Sequence, residues 1–378
     1  MRQFCALACA ALVSLASTTF AQTSRTVLPG QDEIDRCAAT WSNRAQWESR
    51  AASLKQQILG PLAPWPAQTP LNPIWREKID HGDYTVQPVA FESMPGFYCC
   101  ADIYIPTKIS GKHPAIIRAH GHAASGRYGT QEHCAAMARM GAVALSISMV
   151  GHNDCKQYCV EHTKDHQPGK AVFSLQLLNL IRAVDFLCTL PEVDSNNINI
   201  TGESGGGTQT FMLAAVDPRV KISIPVVMVS ASHTGCLCEQ GPPGLVPKVT
   251  NHAEIAAIHA PLPQLIVSDG KDWTKNMPQV EFPYIKKIYA LFDAAGNVEN
   301  VHLPDEGHNY GPAKRNACYV FFVKRGVLTG TPNEVITKDS EEALSVFNEK
   351  HPMPDTALKT PEAIEAALAQ LTKGEIPK

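Results

Sequence analysis

Short apolar segments alternate with longer amphipathic or apolar ones along most of the chain, and this alternation predicts strands and helices in turn. Residues 84–91 and 97–105 are predicted to be two antiparallel strands, because residues 92–96 between them contain a Pro-Gly turn signal. Further strands are predicted at 115–119, 142–149, 198–201, 222–229, 265–268 and 298–303, and helices at 130–140, 171–190, 206–216, 280–295 and 313–326. Near-continuous apolar strands separated by helices are typical of a mainly parallel sheet covered on both faces, so we predict an α/β fold.

The flanking segments have different patterns. Apolar spacing predicts an amphipathic helix at 41–59, and the prolines between residues 61 and 73 predict an extended connector. A last helix is predicted at 360–373, with Thr360 as its N-cap. The predicted units are a helical and Pro-rich lead-in (22–83), a catalytic domain (84–326), a cap-like insertion within it (230–260) and a C-terminal extension (327–378).

Residues 1–21 have the pattern of a signal peptide. Arg2 gives a positive start, residues 4–16 are apolar, and the small residue Ala21 precedes the expected cleavage site. A membrane-spanning helix needs about 20 apolar residues, and this segment is shorter. We therefore predict an exported protein, secreted or periplasmic, that has no membrane anchor once the signal is removed.

The cysteines fit export to an oxidising compartment. Of the 12 cysteines, ten remain after residue 21, an even number that is compatible with disulfide bonds. Cys155 and Cys159 share a polar loop and are the predicted local pair, while the remaining connectivity is left open. Cys236 and Cys238 resemble half of a zinc site, but no second half-site with structural-zinc spacing accompanies them, so zinc is not predicted there.

Composition narrows the possible partners. The net charge is −3 and no basic cluster is present, so neither nucleic acid nor an anionic membrane surface is predicted as a partner. Hydrophobic residues make up 44% of the chain, enough for a large core. The predicted partner is a small-molecule or carbohydrate substrate, and the oligomeric state is left open.

The strongest chemical motif is a serine between a predicted strand and a predicted helix. Gly202-Glu203-Ser204-Gly205-Gly206 follows the strand at 198–201 directly and opens the next helix. Small residues allow the strained backbone that a sharp strand-to-helix turn requires. The helix N-terminus favours negative charge that develops beside the serine.

Two acidic residues and a histidine follow the serine along the chain, in the loops after two later predicted strands. Asp269 and Asp272 follow the strand at 265–268, and His308 follows the strand at 298–303. Serine, acid, histidine is the chain order of the α/β-hydrolases. Asp272 is the preferred acid because it lies a few residues beyond its strand, and Asp269 remains the alternative.

Residues 84–326 resemble an α/β-hydrolase catalytic domain. The resemblance rests on Gly202–Gly206, the segment Ser268-Asp-Gly-Lys-Asp-Trp-Thr274, Gly307-His308 and His120-Gly-His122. Within the superfamily the chain resembles bacterial acetylxylan-esterase-like and dienelactone-hydrolase-like proteins. This resemblance implies a serine esterase that cleaves carboxylic esters through an acyl-enzyme, with acetyl or other acyl esters on carbohydrate as the expected substrates.

The expected roles follow from the chemistry of the three groups. Ser204 is the predicted nucleophile, His308 its general base, and Asp272 the carboxylate that orients the imidazole. The backbone N–H groups of Gly205 and His122 are the predicted oxyanion hole.

Three alternatives remain open. They are a prolyl-oligopeptidase-like peptidase, a metal-dependent hydrolase using His120 and His122, and a non-catalytic binding protein with a hydrolase fold. No metal or other cofactor is part of the preferred mechanism.

Overall fold

A computed structural model of the protein describes residues 27–108, 110–159 and 171–372. The predicted signal peptide at residues 1–21 lies outside these residues. In the described part, ten strands form one sheet in the order β1-β3-β4-β6-β5-β7-β8-β9-β10, with β2 also paired to β3. The strands are β1 (Ile74–Trp75), β2 (Ile79–Asp80), β3 (Tyr84–Met94), β4 (Phe97–Pro106), β5 (His113–Ala119), β6 (Val143–Ile147), β7 (Val193–Glu203), β8 (Val220–Val226), β9 (Gln264–Asp269) and β10 (Val298–Leu303).

The sheet is parallel from β6 to β10, while β1 to β4 are antiparallel to their neighbours. The predicted antiparallel pair therefore lies at one side of a mainly parallel sheet, as expected. Because the strands from β5 onward are parallel, the loops that follow β5, β7, β9 and β10 all emerge at one edge. This edge carries the predicted chemistry.

Helices cover both faces of the sheet, so the predicted α/β class is confirmed. The helices are α1 (Gln31–Ala38), α2 (Arg44–Leu59), α3 (Gln131–Arg139), α4 (Val172–Thr189), α5 (Gly205–Val216), α6 (His252–Ala257), α7 (Glu281–Ala290), α8 (Pro312–Lys324), α9 (Glu341–Leu344) and α10 (Pro361–Thr372). One face buries α4, α5, α6 and α7, and the opposite face buries α3 and α8. Helix α4 is long and apolar enough to cross a membrane, but 83% of it is buried inside the protein, as in the core helix of a globular domain.

Local sequence explains where two of the helices begin. Asn43 accepts a hydrogen bond from the Gln46 N–H at 3.1 Å, so α2 starts after this cap rather than at the predicted residue 41. Thr360 caps α10 as predicted, since its hydroxyl accepts from the Ala363 N–H at 3.2 Å.

The flanking segments pack against the central sheet. Trp47 and Leu54 of α2 are buried in the same core as α5. Helix α6, inside the segment predicted to be a cap, is fully buried in that core as well. Only the part of that segment before α6 therefore remains a candidate cap, and its function as a cap stays a prediction.

The cysteines of the described residues are all thiols. The predicted Cys155–Cys159 disulfide is not formed. Cys155 is buried in a separate cluster with Cys100, where its thiol donates to the Tyr98 carbonyl at 3.4 Å. Cys159 packs instead against the main core.

Candidate active site

Ser204 lies on the sharp turn between β7 and α5. Its backbone angles, φ 56° and ψ −126°, are strained for a residue with a side chain. The turn is tight because glycine stands on both sides of it. A Cβ at Gly202 would lie 2.4 Å from the Ala119 carbonyl oxygen, and a Cβ at Gly206 would lie 2.2 Å from it. Only glycine fits at either position, and the close approach projects Ser204 beyond the end of β7.

Asp272 and His308 meet at the same edge of the sheet. Asp272 follows β9, His308 follows β10, and the His308 Nδ1 lies 2.8 Å from the Asp272 Oδ2. The other carboxylate oxygen accepts from the backbone N–H and the hydroxyl of Thr274, each at 2.6 Å. Burial raises the pKa of Asp272, but these hydrogen bonds outweigh it and hold the pKa below its usual value. The carboxylate is therefore ionised and fixed, with Nδ1 of the imidazole directed toward it.

Asp269 has a different position. Its carboxylate is fully buried and lies 3.0 Å from the ammonium of Lys314, which is fully buried too. Lys314 also donates to the Gly307 carbonyl at 2.5 Å, next to the histidine. Asp269 thus contacts Lys314, which supports the loop of His308, whereas Asp272 contacts His308 itself.

The loops after β9 and β10 are held against each other by their backbones. The N–H of Gly270 donates to the Leu303 carbonyl at 3.1 Å. A Cβ at Gly270 would lie 2.1 Å from the Pro304 carbonyl oxygen, so a side chain there would push the loops apart. This contact sets the distance between the acid and the histidine.

Aromatic rings pack beside the histidine. The Trp273 ring lies 4.4 Å from the His308 ring and stacks on His233 at 4.1 Å between centroids. Burial lowers the pKa of His233, so this ring is neutral at neutral pH. Sequence analysis assigned no function to Trp273, although its position next to Asp272 was a usable signal.

Ser204 and His308 share the sheet edge without direct contact. In the described part of the chain, no hydrogen bond joins the Ser204 hydroxyl to His308. Since Nδ1 of His308 faces Asp272, the Nε2 side of the ring remains for the serine. Catalytic hydrogen bonds are often long before substrate binds. The structure therefore pairs the predicted base and acid, and the predicted nucleophile follows β7 at the same edge, two strands from β9 and three from β10.

The loop after β5 runs beside the serine. A Cβ at Gly121 would lie 2.9 Å from the Ser204 Cβ, so this backbone passes directly over the nucleophile. The His122 ring covers Gly205, where a Cβ would lie 2.6 Å from the His122 Cε1. His122 and Gly205, the two residues predicted to form the oxyanion hole, are thus in contact. Gly205 opens α5, and the first N–H groups of a helix have no intrahelical acceptor.

His120 takes no part in a His-x-His metal site. The ring is buried, its Nδ1 lies 2.6 Å from the Gly121 carbonyl, and its Nε2 accepts from the Met149 N–H at 2.9 Å. Burial lowers the pKa of His120 strongly, so the ring is neutral. Both ring nitrogens are hydrogen-bonded to backbone groups, so His120 stabilises the conformation of the loop.

Behind the serine, a buried ion pair supports the turn. Glu203 lies 2.6 Å from Arg118, whose guanidinium covers the Tyr310 ring at 4.4 Å. The Tyr310 hydroxyl in turn lies 2.6 Å from the Thr201 hydroxyl on β7. These contacts join the serine turn to the segment that follows His308.

Comparisons with known proteins show which proteins this chain resembles. Residues 76–231 match the family model described as "Acetyl xylan esterase (AXE1)". The solved structure "Methylesterase BT1017" is 34% identical, with 91% of this chain and 79% of that chain covered and a TM-score of 0.81. A search of curated protein sequences found no significant match.

More distant structures share the fold alone. An acetyl xylan esterase from Paenibacillus sp. R4 is 18% identical, covering 79% of this chain and 99% of that chain, with a TM-score of 0.52. A glucuronoyl esterase from Solibacter usitatus is 12% identical, covering 76% and 92% of the two chains, with a TM-score of 0.53.

Fold and matches together define the class: the protein is an α/β-hydrolase, a carboxylic ester hydrolase of the serine type. The identity to the methylesterase holds over nearly the whole chain. The chain belongs to the same esterase family as Methylesterase BT1017.

Proposed function

We propose that the protein is an exported carbohydrate esterase that works through an acyl-enzyme on Ser204. The observation that carries the proposal is the Asp272–His308 hydrogen bond of 2.8 Å at the sheet edge where Ser204 occupies a strained turn. Supporting it, the matched family and the solved relatives are esterases.

In the proposed reaction, His308 removes the Ser204 proton through Nε2 as the serine attacks the ester carbonyl. Asp272 is already ionised and hydrogen-bonded to Nδ1, so it stabilises the imidazolium that forms. The same proton then passes to the leaving alcohol. Water, activated by His308, releases the acyl group in the second half of the cycle.

The negative charge of the tetrahedral intermediate needs donors that are in place before reaction. We assign these to the backbone N–H groups of Gly205 and His122, and the packing of the His122 ring against Gly205 supports the assignment. The positive end of α5 adds to the stabilisation.

Methyl esters of carbohydrate acids are the substrate class that we propose first. The support is the 34% identity to a methylesterase over 91% of the chain. On such a substrate the sugar acid becomes the acyl group and methanol leaves. Acetyl esters are the second candidate, supported by the family model over residues 76–231. There a small acyl group stays on the enzyme and the sugar leaves as alcohol.

The first experiment compares wild type with Ser204→Ala on methyl-esterified polyuronate and on acetylated xylan. The variant is expected to lose activity by at least roughly a thousandfold on the preferred substrate with an unchanged unfolding temperature, because the nucleophile is removed without touching the core. A fluorophosphonate probe should label the wild-type peptide that contains Ser204. Full activity in the variant would exclude the serine mechanism, and release of acetate rather than methanol would select the second substrate class.

Export is the remaining part of the proposal. The signal pattern at residues 1–21 supports it, and the expected cleavage lies between Ala21 and Gln22. To test the cleavage site, the full chain is expressed in a bacterial host and the protein in the periplasmic fraction is sequenced from its N-terminus. An intact Met1 on active protein would contradict export.

A further inference from the structure

A nitrogen and two sulfurs converge beside the serine turn, on side chains that the proposed mechanism does not use. The His122 Nε2 lies 3.2 Å from the Cys238 Sγ and 3.6 Å from the Cys236 Sγ. The two sulfurs lie 2.7 Å apart. Among the described residues, these three side chains form the group whose donor atoms all lie within 4.8 Å of one another.

Two of these three distances are close to the edges of a tetrahedral zinc site. With zinc–sulfur and zinc–nitrogen bonds of about 2.3 and 2.0 Å, a sulfur and a nitrogen on one ion lie about 3.5 Å apart, and two sulfurs about 3.8 Å. Both nitrogen–sulfur distances already agree. The sulfur–sulfur distance has to open by about 1 Å, which a small rotation of two cysteine side chains supplies.

The second nitrogen of His122 faces a carboxylate. Its Nδ1 lies 3.4 Å from the Glu239 Oε1, while the Glu239 Oε2 accepts from the Cys236 N–H at 2.8 Å. A histidine that binds metal through one nitrogen commonly directs the other to a carboxylate, which orients the ring and strengthens the ligand. Glu239 therefore holds both a histidine and a cysteine of the group.

We propose that His122, Cys236 and Cys238 form a binding site for a thiophilic divalent cation, Zn²⁺ in the first instance, with Glu239 orienting the histidine. Water completes the fourth position, on the side where His122 and Cys236 are only half-buried. Cys238 is 1% exposed and closes the opposite side.

The charge and proton balance of the site is simple. Two neutral thiols lose their protons to solvent as Zn²⁺ binds, and the resulting two thiolates cancel the charge of the ion. Because both cysteines bind the ion as thiolates, binding strengthens as pH rises.

The site would connect two segments that are distant in sequence. His122 belongs to the loop after β5, and the cysteines belong to the segment that follows β8. Because the backbone of His122 is the proposed oxyanion donor, a bound cation would fix that donor in place. This is a positioning function, distinct from polarisation of the substrate.

The test uses the full mature chain, reduced and stripped of metal, titrated with Co²⁺ as a spectroscopic substitute for zinc. Wild type is expected to bind one ion per chain and to show a thiolate-to-cobalt charge-transfer band, which Zn²⁺ then removes by displacement. Cys236→Ser and Cys238→Ser should lose the band. Glu239→Gln should keep it with affinity reduced by about tenfold, as for other residues that orient a metal-bound histidine.

Cys188→Ser is the matched control, because Cys188 is an exposed cysteine on α4. It should bind cobalt as wild type does. A second measurement uses wild type alone, so that it does not depend on whether the variants fold. Zn²⁺ should protect Cys236 of wild type from alkylation. The proposal is overturned if wild type binds no cobalt or leaves Cys236 unprotected. It is also overturned if mass spectrometry finds Cys236 and Cys238 joined as a disulfide in the exported protein.

Discussion

At the scale of single residues, two neighbouring aspartates have separate surroundings. Asp272 contacts His308, while Asp269 is paired with a buried lysine under the histidine loop. Sequence alone could rank the two only by their distance from β9. The decisive difference is Lys314, which comes from α8, 45 residues further along the chain than Asp269. No local pattern around the aspartates contains that information.

Replacement by asparagine should affect catalysis at one of the two aspartates and stability at the other. Asp272→Asn is expected to lower kcat by roughly a thousandfold or more and to leave stability nearly unchanged, because an amide cannot stabilise the imidazolium. Asp269→Asn should lower the free energy of unfolding by about 3–5 kcal/mol, since it leaves the charge of Lys314 buried without its partner. Steady-state kinetics and urea unfolding of both variants measure the two effects. Similar losses of kcat with no loss of stability in Asp269→Asn would contradict this division.

At the scale of helices and strands, apolar runs predicted the central elements well. The observed β10 spans the predicted residues, and α4 differs from its prediction by one residue at each end. Helix α1 was missed because only Ile34 and Cys37 of its eight residues are buried, too few for a visible period. Helix α6 was missed because its small, mixed residues become core only when α5 and α7 enclose them.

Helix α6 and the loop after it also carry two histidines that tie stability to pH. Burial lowers the pKa of His252 and that of His259 to about 4, and the charge of Lys55 adds to the effect at His259. An unfolded histidine binds its proton at about pH 6.5. Between these values the unfolded chain binds protons that the folded chain does not, so stability falls as pH falls from 6.5 toward 4.

Replacement of His259 by glutamine should remove part of this dependence. Between pH 7 and pH 5, wild type is expected to lose on the order of 1–2 kcal/mol more unfolding free energy than His259→Gln. Urea unfolding at the two pH values gives the comparison. His351→Gln, a change at an exposed histidine, is the control and should behave as wild type does. Equal pH slopes in all three proteins would show that His259 makes no contribution.

At the scale of the whole molecule, the lead-in and the C-terminal extension are joined to the central sheet more closely than composition implied. The Asp154 carboxylate accepts from the Val346 N–H at 2.6 Å, and Arg127 donates to the Leu344 carbonyl at 2.7 Å. Trp47 of the lead-in is 1% exposed. A division into lead-in, catalytic domain and extension can be drawn from composition, but these long-range contacts depend on the tertiary fold and leave no local signal.

Deletion of the lead-in should therefore abolish folding. A chain that starts at residue 63 lacks Trp47, Leu54, Ile58 and Leu62, each 1% exposed or less in the native protein. Loss of large buried side chains costs about 2–5 kcal/mol each, and a whole domain is stable by only about 5–15 kcal/mol. Circular dichroism during heating should show no cooperative transition, whereas a chain that starts at residue 27 should unfold like wild type. A sharp transition in the shorter chain would show that residues before 63 are not needed for folding.

The stack of Trp273 between His233 and His308 gives the protein an optical reporter at the catalytic base. An imidazolium next to an indole quenches its fluorescence by accepting an electron from the excited ring, and the Trp273 ring lies 4.4 Å from His308. Subtracting the emission of Trp273→Phe removes the background of the other four tryptophans of the chain. The remaining signal reports on the surroundings of the Trp273 ring, which both His308 and His233 contact. It allows changes beside the catalytic base to be followed in the free enzyme, without a substrate and without isotopic labels.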